Sequence, residues 1–191
     1  MAAYRNALEI YTRRERPQEW AMTQDNLGAA LQKQAIRGEG AQSAELLAQA
    51  VAAFRCALEV RTREQLPQDW ATTQNNLGLA LAEQSSRAEG AQGTELLTQA
   101  VAALRSALEV RTREQLPQQW ATTQNNLGLA LADQSTRAEG AQSTELLTQA
   151  MTAFRNALEV YTPEVFPAYH EMVQANLAKT EEQLKGTKAP H

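Results

Sequence analysis

The sequence predicts an all-α protein, a solenoid of antiparallel helix pairs stacked on one continuous core, and three observations predict it. The 191 residues repeat with a period of fifty, each period carries two stretches of helical apolar spacing, and no run alternates apolar and polar residues as a half-buried strand would. The repetition is close. Val51–Ala100 and Val101–Ala150 differ at six positions: Phe54/Leu104, Cys56/Ser106, Asp69/Gln119, Glu83/Asp133, Ser86/Thr136 and Gly93/Ser143. The flanking residues keep the register more loosely, with Asn-Leu-Gly at Asn26, Asn76 and Asn126 decaying to Asn176-Leu177-Ala178.

The elements follow in order. Residues 1–16 carry a lone second helix, residues 17–66, 67–116 and 117–166 are full repeats, residues 167–186 form a C-terminal capping helix, and residues 187–191 are a frayed tail. Each first helix opens at Pro17, Pro67, Pro117 or Pro167, where a missing amide proton is no loss. In the second full repeat Trp70, Thr73, Leu77, Ala80, Leu81 and Gln84 share one helix face. That helix is expected to end before Gly90, a left-handed C-terminal residue. Ser43, Ser143 or their neighbours are expected to cap the second helices, with Glu45, Glu95 and Glu145 in their first turns. The second helix presents Leu96, Leu97, Ala100, Val101, Leu104, Ala107 and Leu108, an apolar surface wide enough to need helices on more than one side. The run "TREQLP" turns the chain into the next repeat.

The two ends differ. The lone first element leaves an apolar flank at Ala7 and Leu8, so the sequence predicts a piece of a longer protein or a homo-oligomer formed through this N-terminal helix. At the other end Lys179, Glu181, Glu182 and Lys185 make a polar outer helix that reads as a cap.

Composition excludes several functions. A net charge of −4 offers no basic face for nucleic acid or an anionic membrane. No apolar run is long enough to span a bilayer, the first ten residues lack the basic and apolar regions of a secretory signal, and the single Cys56 suits a reducing compartment, so a cytoplasmic location is expected. Catalytic constellations are absent. "HEMVQ" from His170 begins like a zinc-protease helix but has Gln174 where the second ligand must stand, and Cys56 becomes Ser106 in the next repeat. No enzyme activity, metal or cofactor is expected.

The motif Leu77-Gly78-x2-Leu81 on the first helix, with Ala50-x3-Phe54-x2-Ala57, Ala100/Leu104/Ala107 and Ala150/Phe154/Ala157 on the second, resembles the tetratricopeptide repeat family over nearly the whole chain. Gly78 and the alanines would let backbones approach closely while Phe54 or Leu104 fills the gap. The family's unit is about 34 residues, whereas this one has extra length around Arg87–Gly93 and Arg111–Gln115. The family tryptophan position holds Gln24, Gln74, Gln124 and Gln174, and the chain's own Trp20, Trp70 and Trp120 lie one turn earlier, where inter-repeat packing is the expectation. The long period is similar to that of kinesin light chain repeats and of repeats in bacterial multidomain signalling proteins. The resemblance implies a right-handed superhelix whose first helices line a concave groove for a protein or peptide.

Asparagine in a helix interior costs up to about 0.7 kcal/mol relative to alanine, so the repeated pair Asn75-Asn76 and Asn125-Asn126 asks for a compensating role. In the peptide-binding superhelix of O-GlcNAc transferase, which this array resembles, asparagines at the positions of Asn26, Asn76, Asn126 and Asn176 hold the ligand main chain. The alternative is that they bond neighbouring turns or layers. On the face of Asn76 lie Asp69, Thr72 and Glu83, matched by Gln119, Thr122 and Asp133 around Asn126, so a mildly acidic groove is expected. It would suit a peptide with basic or polar side chains, and it lacks the Lys/Arg pairs that clamp a terminal carboxylate. Arg5, Arg55, Arg105 and Arg155 precede Glu9, Glu59, Glu109 and Glu159 by four residues, on a solvated face or as bridges between layers. Two functional readings stand: a binding scaffold with a groove, and a structural spacer or oligomerisation arm without one.

Overall fold

The connection between repeats is closed by hydrogen bonds among its own residues. The Gln65 amide donates to Thr62 Oγ1 at 3.2 Å and the Leu66 amide to the Thr62 carbonyl at 2.9 Å, and Gln115 and Leu116 repeat both bonds on Thr112. The proline that follows enters the helix at its first position. The result, in a computed structural model that describes residues 1–38 and 40–188, is helical throughout its regular structure.

Two compact units make up the chain, Met1–Val110 and Arg111–His191. The N-terminal unit contains α1 (Ala2–Ile10), α2 (Pro17–Arg37), α3 (Gly40–Leu58), α4 (Pro67–Ser85) and α5 (Gly90–Leu108). The C-terminal unit contains α6 (Pro117–Ser135), α7 (Gly140–Leu158) and α8 (Pro167–Lys188). Within each unit consecutive helices pack on one another, and α2 with α3, α4 with α5, and α6 with α7 form the most extensive pairs. The pairs are antiparallel. Ser43 near the start of α3 meets Ala35 near the end of α2, while Phe54 towards the end of α3 meets Gly28 in the middle of α2. This is the helical-repeat architecture the fifty-residue period predicts.

The close approach expected at the glycine of the first helix is present in all three pairs. A Cβ added to Gly28 would stand 2.8 Å from Phe54, one on Gly78 2.6 Å from Leu104, and one on Gly128 2.6 Å from Phe154. The large side chains opposite are fully buried, and around them Leu27, Leu31, Ala50, Val51, Leu77, Leu81 and Ala100 form the core of the N-terminal unit.

Three local expectations change. Gly40, Gly90 and Gly140 are indeed left-handed (φ +70°, +56° and +55°), but they open the second helices instead of closing the first ones, so the connection precedes the glycine and does not follow it. Ser43 and Ser143 consequently lie inside the helix and cap nothing of their own. Buried, they donate backwards to the carbonyls of Ala35 (2.6 Å) and Ser135 (3.0 Å) at the end of the preceding helix, as second donors beside the amides of Gly38 and Ala138. At the C-terminus α8 runs through Lys188, so the expected tail is helical at its first two residues; Ala189–His191 lie outside the described residues.

Exposed charges tie successive layers. Arg55 donates to Gln99 at 2.8 Å and Arg155 to Glu181 at 3.1 Å, each on a later helix and not on the glutamate four residues ahead. Those glutamates are taken from the connections instead: Arg13 pairs with Glu59, Arg63 with Glu109 (2.5 Å) and Arg113 with Glu159 (2.5 Å). All are about half exposed, so each contributes roughly 0–1 kcal/mol; their effect is on register more than on stability.

Candidate functional site

The first-helix face of the N-terminal unit is built on α2 and α4. Asp69, Thr72, Asn76 and Glu83 recur on α4 at helical spacing; Asp69 is exposed and the others are half-buried. Thr72 Oγ1 donates to the Gln68 carbonyl at 2.9 Å, and Glu83 is held by Arg87 one turn on. Asn26 is exposed on α2. Among the described residues the Asn76 amide has no hydrogen-bond partner.

The same positions in the C-terminal unit are arranged differently. Asn126 is buried, whereas Thr122, Gln119 and Asp133 are exposed. Asn176, half-buried on α8, donates through Nδ2 to Asn125 Oδ1 on α6 at 3.1 Å. Thr122 Oγ1 lies 2.6 Å from the Tyr161 hydroxyl, which also donates to the Gln118 carbonyl at 3.2 Å. The four asparagines therefore do not form one uniform row. Asn26 and Asn76 keep their amides at the surface, Asn176 spends its donor on a neighbouring layer, and Asn126 is withdrawn from solvent.

Sequence reasoning missed the residues that join one layer to the next beneath this face. Arg61, from the connection after α3, is only 7% exposed. Its Nη1 donates to Thr73 Oγ1 at 2.8 Å and stands 3.4 Å from Asp25 Oδ2 on α2. Asp25 is 8% exposed, and its other oxygen, Oδ1, is buried without a partner. Arg111 makes the equivalent bond to Thr123 at 2.9 Å, and burial pushes its guanidinium below the usual arginine range. At the same repeat position Tyr161 is buried, stacked on Tyr169 (4.9 Å between centroids) and edge-on to Phe166 (5.6 Å). The available signal was the succession Tyr11, Arg61, Arg111, Tyr161 at one register, with an acid at position 25 alone among its counterparts. A charged residue directly after a helix reads as solvated, which is why the signal passes unnoticed.

Two clefts open on the N-terminal unit. A cleft of about 290 Å³ sits between the openings of α2 and α4, lined by Gln18, Glu19, Met22, Arg61, Leu66 and Asp69. A second, of about 380 Å³, runs along the second helices, where Arg55, Gln99 and Glu95 are already bonded to one another across it.

Chemistry is sparse. Cys56 is half-buried, and burial, then Glu59, push its thiol up, away from thiolate. His170 Nδ1 donates to the Tyr161 carbonyl at 2.8 Å, a structural bond at the start of α8. Among the described residues no three His, Cys, Asp or Glu side chains gather to hold a metal ion, and no helix is long and apolar enough to cross a membrane. Trp20, Trp70 and Trp120 are half-buried, and Arg13 lies over the Trp20 ring at 5.9 Å. No protein-family model, curated protein or solved structure matches the chain, so what identifies it is its own repeated architecture of helix pairs.

Proposed function

We propose that the chain is a non-catalytic scaffold of the tetratricopeptide kind that receives a protein or peptide on its first-helix face, in the cytoplasm and within a larger signalling or assembly protein. The observation that carries this reading is Asn76. An amide placed in a helix interior against its propensity, half-buried and without a hydrogen-bond partner, offers a donor and an acceptor to an incoming main chain. Asp69, Thr72 and Glu83 flank it on the same face. Selection of a random displayed-peptide library against the intact chain, followed by titration of the selected peptides with Asn76→Ala and with the buried Asn126→Ala as comparison, tests it; the Asn76 variant decides. Loss of peptide binding with an unchanged unfolding midpoint supports the groove.

A second reading, a spacer or oligomerisation arm, draws on different observations. Asn176 bonds Asn125 instead of facing solvent, and Asn126 is buried. In addition, no residue of α1 is fully buried, and Ile10 at its end is 70% exposed. Under this reading light scattering shows a dimer or higher species that Ile10→Lys returns to monomer, and no library peptide depends on Asn76.

A further inference from the structure

We infer that the cleft between the openings of α2 and α4 is a pocket for one basic side chain, a lysine or arginine of the bound peptide. The inference rests on the groove reading above and names the partner chemistry at one end of that groove. The cleft holds about 290 Å³, and its lining is a stem-and-head arrangement. Met22, 49% exposed, and the half-buried Leu66 offer apolar wall to an aliphatic stem, while Glu19 and Asp69 offer carboxylates to a cationic head. Asp69 has no side-chain partner among the described residues, and Glu19 has only Arg16, 3.8 Å away at the exposed rim.

The cation in the wall does not cancel these acids. Arg61 turns inward, giving Nη1 to Thr73 at 2.8 Å and facing Asp25 at 3.4 Å, so its charge is already matched by a carboxylate one guanidinium behind the cleft. Asp25 is consumed in that match, which leaves Glu19 and Asp69 as the carboxylates that line the cleft. With Arg16 3.8 Å from Glu19, one carboxylate stays in excess, that of Asp69, and a low-dielectric wall strengthens its field on a visiting cation. An anionic ligand would meet charge of its own sign and be repelled. The second-helix cleft carries no such argument, because its Arg55, Gln99 and Glu95 already bond one another.

The test titrates the full chain with Nα-acetyl-lysine methylamide while backbone amide shifts are followed by NMR. The norleucine analogue, which keeps the stem and lacks the ammonium, is the control. Shifts are expected around residues 18–22 and 61–69, no response is expected from norleucine, and Glu19→Gln with Asp69→Asn should weaken lysine binding about fivefold or more. Gln119 and Tyr169 occupy the position of Asp69 in the C-terminal unit, so that unit should stay silent. Equal shifts with norleucine, an unchanged titration in the double variant, or shifts confined to other residues would overturn the pocket. If library peptides bind through Asn76 but ignore the double variant, the pocket fails while the groove stands. If lysine titrates the cleft and no peptide depends on Asn76, the groove fails while the pocket stands.

Discussion

The two units solve one joint in two ways. In the N-terminal unit the third residue after α3 is Arg61, sunk between layers against Asp25 and Thr73, with one oxygen of Asp25 left over. In the C-terminal unit the matching residue at the last joint is Tyr161, whose hydroxyl reaches Thr122 and the Gln118 carbonyl while its ring packs on Tyr169 and Phe166. The rung above follows suit: Asn176 closes on Asn125, while Asn76 stays unbonded. A repeat of near-identical spelling therefore carries one joint that is polar and incompletely satisfied and another that is aromatic and closed. The difference teaches that the residue at the joint, guanidinium or ring, decides how a layer is closed.

The comparison can be broken most severely at Arg61. Arg61→Met leaves Asp25 buried without its cation and should cost about 3–5 kcal/mol by urea unfolding, whereas adding Asp25→Leu to that variant should recover most of the loss. If the single variant is neutral, the ion pair is not what joins the layers. Next comes the closed rung. Asn176→Ala strands a buried Asn125 oxygen, and a loss of about 1–3 kcal/mol is expected from the same measurement. Tyr161→Phe keeps the rings packed and removes only the hydroxyl bonds, so a loss of about 0.5–1.5 kcal/mol is expected. Smallest is Asn76→Ala. With no bond to lose and a better helix former gained, its unfolding midpoint should move by no more than about 0.5 kcal/mol in equivalent stability, in contrast to Asn176. A large loss there would mean that Asn76 holds its own layer together and would remove its claim to a ligand.

Much of the fold was legible because its signals are local and repeated. Proline starts, the turn at "TREQLP" and the Gly78/Leu104 approach are short-range or pairwise facts that recur in register, so each copy checks the others. The second-helix start was misread for a physical reason. A left-handed glycine serves a helix that is ending and one that is beginning equally well, and only the backbone path decides that Gly90 opens α5. The candidate site was half legible. Asp69, Thr72 and Asn76 share a face because periodicity places them there, but periodicity cannot say whether an amide at that face meets solvent or another layer.

By itself the sequence determined a helix pair of fixed length, its repetition, and which positions of each helix turn inward, since spacing and propensity act along the chain. Tertiary structure alone decided that Arg61 is a buried strut, that Asn176 is spent on Asn125, and that Asp25 retains an unanswered oxygen. Those outcomes depend on which side chain arrives from another layer, and a partner some fifty residues away leaves no mark in local spacing.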